Sequence, residues 1–426
     1  MWYETLLDTL FFVIGAAHVI LAPYTKVEES FNLHAVHDIL MYGVGPGALG
    51  NYDHFTFPGV VPRSFIGSLV LAYASTPLLW SLGSFGLLRS KLQIQVAVRL
   101  VLSSLNALSL VFIRRAASKR FGSRTGTWFT LLSCSQFHVM FWMGRTLPNM
   151  FALFPVNIVI GLVLSTTKTT PHLTRRAIMI LTATAVILRA ELVGLVGPLA
   201  LFALIRRRVS IGQLIIDGAV AGCLAIGATI LVDSHFWHQA WMWPEFAGIW
   251  FNVYEGKSAE WGVSPRHAYF TSHLPKLLMA SLPLSVVGAG VNSYVRQLML
   301  VVLVFVGLLS QLGHKEWRFV VYVVPLVNVG AARGAAWILD RRPAWRMLRR
   351  LLALGLVGLI ALNVCATAFL TYVSSANYPG GEAMTRLHEV IHKTQASIFI
   401  DDLAAQSGAS LFTQECAPPY AFGLSP

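Results

Sequence analysis

The sequence predicts an all-α protein that crosses a membrane many times. Only 12% of its 426 residues are charged and 55% are hydrophobic, whereas a soluble protein is about 25% charged. Mean hydropathy is +0.63. Apolar runs of roughly 17 residues or more, each long enough to cross a hydrocarbon core, recur along most of the length.

Thr5–Ala22 is the first span, and with no small-residue cleavage site behind it the segment reads as a retained signal anchor. Phe65–Leu82 is apolar enough to cross but rich in Ser, Gly and Pro. The later spans are Ile94–Ile113, Gly126–Met143, Leu147–Leu164, Ala177–Arg189, Leu192–Ile205, Ile211–Val232, Leu274–Val287, Leu298–Gly313, Phe319–Leu339 and Leu351–Val373. Arg189 and Glu191 interrupt the hydrophobic sequence at a turn, so the short segments flanking them read as tilted half-spans.

Basic residues decide how Phe65–Leu82 is read. If it lies along the membrane surface, about eleven crossings remain. Arg114–Arg124, Lys168–Arg176, Arg206–Arg208, Arg296 and Arg341–Arg350 then share one face, which the positive-inside rule makes cytoplasmic. The opposite face gathers the first loop (23–93), Gly144–Asn149, the loop 233–273, His314–Phe319 and a small tail (374–426) behind the membrane domain 1–373. If Phe65–Leu82 crosses, these polar segments scatter over both faces, so the surface placement with about eleven crossings is the expected one.

The net charge of +13 does not indicate a nucleic-acid partner, because the basic residues form short clusters between hydrophobic runs. Cys134, Cys223 and Cys365 lie in apolar stretches and Cys416 is alone in the tail, which gives no disulfide framework. Asp53 and His54 are two possible ligands without the rest of a shell, so no metal is expected, and no cofactor.

Four polar segments can carry chemistry. Pro23–Asp38 (PYTKVEESFNLHAVHD) places Glu28 and Glu29 beside Asn32, His37 and Asp38 at a membrane boundary, where ionisable groups pair or work. Either glutamate can serve as a base, and mutual repulsion of adjacent carboxylates favours that role. HKEWRF offers His314, Lys315 and Arg318 to a phosphate, with Glu316 pairing internally. GRTLPN adds Arg145 and Asn149. FWHQAWMWPE supplies Trp237, Trp241 and Trp243 with Glu245, which read as an interfacial aromatic belt or as a sugar-stacking surface.

TKVEESFN…HDIL, followed by YDHFTFPGVVPR, resembles glycosyltransferase family 22, the dolichol-phosphate-mannose-dependent mannosyltransferases of the endoplasmic reticulum, and is most similar to its α-1,6-linking branch. RTLPN, HKEWRF, EWGVSP and the tail are similar to the corresponding family segments, although the family usually continues beyond Pro426. The resemblance implies a GT-C fold with its active site on luminal loops of an endoplasmic reticulum membrane protein. It implies a dolichyl β-mannosyl phosphate donor and a seven-mannose dolichol-linked oligosaccharide acceptor, joined by inversion into an α-1,6 bond.

Carried over residue by residue, it makes Glu28 the first choice of base and Glu29 its neighbour, where the broader family has Asp then Glu. It puts His314, Lys315, Arg318 and Arg145 at the donor phosphate, and Asn32, His37, Asp38, Trp237, Trp241, Trp243 and Glu245 at acceptor or sugar. A sister enzyme forming an α-1,2 bond is the alternative. A transporter would instead show ionisable residues near span midpoints and related halves, and neither is visible in the sequence.

Overall fold

The computed structural model describes residues 2–167, 169–340, 346–391 and 397–424, and every regular element among them is helical. Lys168, part of the basic stretch before Arg176, and Arg341, the first residue of the last basic cluster, lie outside the described residues, as does His392.

α1 (Trp2–Leu21) stops just before Pro23. α2 (Val27–Tyr42) starts with Glu29 reaching back to accept the Lys26 backbone N–H at 3.0 Å, a bond that satisfies a donor the helix cannot. α3 (Ile66–Ser84) and the long α4 (Lys91–Phe121) follow. Ser90 caps α4 through the Gln93 N–H. Glu415 from the tail accepts the Lys91 and Leu92 N–H groups at 2.7 and 3.1 Å, where the helix dipole favours a carboxylate.

The chain continues through α5 (Ser123–Cys134), α6 (Phe137–Trp142), α7 (Pro148–Ser165), α8 (His172–Ile187), α9 (Val193–Ile205) and α10 (Ile211–Trp237). After α11 (Pro244–Ile249) and its π-helical extension Trp250–Tyr254 come α12 (Leu274–Leu278), α13 (Ser281–Val291), α14 (Ser293–Leu309), α15 (Val323–Asp340) and α16 (Arg346–Ser375). α17 (Pro379–Val390) and α18 (Asp402–Gln406) form the tail.

Two expected spans are broken. Gly126–Met143 splits at Ser135–Gln136, and Leu274–Val287 bends by 97° between α12 and α13. Broken helices inside a bilayer expose backbone groups that need new partners, and here Gln136 and side chains of α16 supply them. Gln136 Nε2 donates to the Leu278 carbonyl at 2.7 Å. From α16, Thr367 donates to the Ser135 carbonyl at 2.7 Å, and Asn363 Oδ1 accepts the Ala280 N–H at 3.3 Å. Asn328 of α15 completes the seam through Gln136 and Ser133.

Six described helices are long and apolar enough to cross a membrane, or seven if the bent pair is one span. α3, expected on the surface, is one of the six by length and composition. The count of about eleven crossings is not established this way. α8, α9 and α14 have only 16, 13 and 17 residues, and α5 and α6 are separate pieces.

The main apolar core joins α1, α4, α5, α7, α14 and α15, with Phe11, Phe129, Leu153, Phe305 and Val324 at its centre. α13 and α15 approach backbone to backbone, because an added Cβ on Gly288 would lie 2.0 Å from the Gly330 carbonyl oxygen. A second core under α2 and α3 gathers Leu33, Val36, Phe65, Ile94 and Phe236, closed by Phe412 of the tail.

Candidate active site

The head of α2 is seated on a buried ion pair. Glu29 Oε1 accepts Arg145 Nη1 at 2.8 Å, and both side chains are 0% exposed. The Arg145 guanidinium lies over the rings of Phe141, Trp142 and Tyr378 at 4.4 to 5.1 Å, and burial pushes the Tyr378 phenol up. Thr146 donates to the Glu29 carbonyl and Asn32 donates to the Thr146 carbonyl, which fastens α2 to the segment 144–149. Beneath them the buried Arg99 donates to the carbonyls of Gly144, Ala22 and Pro23. Glu28, one residue before Glu29, is exposed.

The same segment reaches a second cluster through Asn149. Its amide donates to Glu191 Oε1 at 3.0 Å and to the Tyr322 hydroxyl at 2.9 Å, while Arg189 Nε donates to Glu191 at 2.8 Å. Glu245 accepts the Ala190 N–H at 2.7 Å, and burial pushes its carboxyl up to about 7 against the pull of Arg189. Arg63 shares this field with Arg189, Arg318, Glu191 and Glu245, and burial lowers it to about 10. Glu316 holds Arg318 and, at 3.0 Å, His314 Nε2. Three guanidiniums and three carboxylates therefore share one largely dehydrated basin. Residues 145 and 149 can be no more than about 14 Å apart in extended chain, so the basin adjoins the α2 head. Such a surface suits an anionic leaving group beside a carboxylate base.

The Alg9-like mannosyltransferase family model matches residues 9–413. This chain belongs to that family. Relatives named Dol-P-Man:Man(7)GlcNAc(2)-PP-Dol alpha-1,6-mannosyltransferase share 41% identity in Drosophila melanogaster and 36% in Arabidopsis thaliana. Each comparison covers 96% of this chain, but 58% of the Drosophila protein and 81% of the Arabidopsis one. Among solved structures, ArnT from Cupriavidus metallidurans bound to undecaprenyl phosphate aligns with a TM-score of 0.58 at 10% identity. That alignment covers 94% of this chain and 83% of ArnT. The likeness bears out the all-helical GT-C fold expected from the sequence.

In this Alg9-like chain many of the expected site residues already have protein partners. Arg145, expected at the donor phosphate, is given to Glu29. Lys315 is buried, with Nζ donating to the carbonyls of Ser264 (3.0 Å) and Leu312; desolvation lowers its pKa. Asn32 bonds the 144–149 segment, and His37 bonds Asp38 at 2.9 Å deep under Phe412. Asp38 also accepts the Asp53 N–H. Asp53 faces His34 while His54 faces the Phe236 carbonyl, so the two point at different partners.

The tryptophans divide. Trp237 donates to the Arg63 carbonyl and stacks on Phe31. Trp243 donates to the Val186 carbonyl and stacks on Phe246. Trp241 is 81% exposed with φ +60°, a strained conformation for a bulky residue. Of the expected residues, Glu28 and Trp241 are exposed, and His314, Arg318, Trp237 and Trp243 keep part of their surface free. Sequence reasoning did not assign Arg63, Arg189, Glu191, Tyr322 or Arg99 to the site. Charges interrupting apolar runs were the available signal for Arg99, Arg189 and Glu191.

Proposed function

We propose that this chain is an inverting mannosyltransferase of the endoplasmic reticulum membrane. It transfers mannose from dolichyl β-mannosyl phosphate to a seven-mannose dolichol-linked oligosaccharide, forming an α-1,6 bond on the luminal side. The observation that carries the reading is the Glu29–Arg145 pair, which fixes the head of α2, leaves neighbouring Glu28 exposed, and sits on the same 144–149 segment that reaches the guanidinium-rich basin through Asn149. The names of the relatives support donor, acceptor and linkage.

A β donor and an α product require one displacement at the anomeric carbon. Glu28 takes the proton from the acceptor 6-hydroxyl as that oxygen attacks, with no covalent sugar on the protein. Arg318 and His314, with Arg63 and Arg189 behind them, stabilise the charge gathering on the departing phosphate, Arg through paired N–H donors. Trp241 offers its ring face to acceptor sugar. Glu29, Arg145, Arg99, Asn149 and Lys315 position these groups.

Incubation of purified protein with dolichyl mannosyl phosphate and defined lipid-linked acceptors, followed by linkage determination, tests the reading. An α-1,6 product on the seven-mannose acceptor is expected. An α-1,2 product identifies the sister activity instead, and no transfer to any acceptor removes the enzymatic reading.

A further inference from the structure

The far end of α4 and α7 carries a cavity of about 520 Å³ that the transfer reaction does not use. α7 has 18 residues, which puts this end about 27 Å from the site at 1.5 Å per residue. Its walls include Lys119 and Arg120 at the end of α4, Arg206 after α9, and Asn292–Tyr294 at the start of α14. Among the described residues, no wall residue is acidic.

Four basic residues near the non-site ends of the helices have carboxylate partners, whereas Arg176, Arg207, Arg208 and Arg296 have none among the described residues. Arg114 meets Glu4 and Asp8, Arg115 meets Asp8, Arg124 meets Asp340 and Arg175 meets Asp217. Among the described residues, Lys119, Arg120 and Arg206 have no carboxylate partner. Arg120 spends one nitrogen on the Leu164 and Thr166 carbonyls, and its guanidinium lies 3.6 Å from the Tyr294 ring centroid. Arg206 donates to Gln297, and its guanidinium is 4.9 Å from the same centroid. Adjacent Arg208, close enough to perturb both Arg120 and Tyr294, has a buried Nη1 without a partner. Two guanidiniums flanking one aromatic ring in a partly dehydrated cavity repel each other unless an anion joins them.

We propose that this cavity binds a phosphate-bearing anion, held by Arg120 and Arg206 with Lys119 at its rim. Guanidinium pairs match phosphate oxygens geometrically, and a basic pocket between membrane helices at a bilayer surface suits an anionic lipid headgroup. A soluble phosphate offers the same chemistry. The site is separate from mannosyl transfer and does not depend on the acceptor assignment.

The test compares the whole protein in phosphatidylcholine nanodiscs with and without phosphatidylinositol, reading retained lipid by native mass spectrometry. Inorganic phosphate binding is measured separately by calorimetry. The Lys119→Gln/Arg206→Gln double variant is used first, because Lys119 is exposed and the one hydrogen bond shown for the Arg206 side chain is to Gln297. Arg120→Gln is the second variant, and an unchanged unfolding midpoint in pure phosphatidylcholine confirms each fold.

Selective phosphatidylinositol retention that falls roughly tenfold per guanidinium lost, the scale of one charge-assisted hydrogen bond, supports a lipid ligand. Phosphate binding without lipid selectivity, lost in the same variants, supports a soluble ligand. Wild-type protein that binds neither, or variants that bind as wild type does, would overturn the proposal.

Discussion

Glu28 and Glu29 differ by one position and by almost everything physical. Glu29 lies on the stripe shared with Asn32, Leu33 and Val36, all buried, and its charge is compensated by Arg145. Removing one member of a buried pair strands the other, so Glu29→Gln should lower stability by about 3 kcal/mol, read from denaturation in detergent. Glu28→Gln should change stability by less than about 0.5 kcal/mol, as for an exposed site.

Glu245 gives a pH signature. Its folded pKa of about 7 lies above the ordinary value of 4.5, so the folded state binds this proton more tightly than the unfolded state. The associated stability is full below pH 4.5 and is lost as pH rises towards 7. Glu245→Gln should flatten the wild-type decline in unfolding midpoint across that window. An identical decline in both proteins would assign it elsewhere. The adjacent acids were legible in TKVEESFN. Their division of labour became legible only with the helix phase, and Arg145 as partner needed the fold to join positions 116 residues apart.

At the scale of elements, hydropathy located the long helices but not their interruptions. Ser135 and Gln136 look like tolerable polar residues inside an apolar run, and Met279–Ala280 gives no polar signal at all. The breaks persist because Gln136, Thr367 and Asn363 satisfy backbone groups from distant helices. Gln136→Leu should therefore cost about 1–3 kcal/mol by stranding the Leu278 carbonyl and the Asn328 amide. The same substitution at exposed Gln311 should cost little, and equal unfolding midpoints for the two variants would remove this explanation. Gly288 limits α13 differently. With the Gly330 carbonyl oxygen 2.0 Å from an added Cβ, even Gly288→Ala must push α13 from α15 and lower the midpoint.

Over the whole molecule, charge bias predicts that Arg114–Arg124 lies on the opposite side of the membrane from His314–Phe319. Single cysteines in these loops should label from opposite sides of a sealed vesicle, and labelling from the same side would separate the basin from a luminal face. The multi-span, all-helical character was legible because apolar length is a local signal, whereas the GT-C fold was implied by the family resemblance of the polar motifs. The basin was less so, since Arg63, Arg189 and Glu191 converge only through long-range packing. The most direct measurement is mannosyl transfer by folded, detergent-purified Glu28→Gln beside wild type, with donor binding followed in parallel. Turnover should fall by roughly 10²–10⁴-fold, the usual contribution of general base catalysis, while donor binding persists. A Glu28→Gln protein that turns over near the wild-type rate would contradict Glu28 as the base.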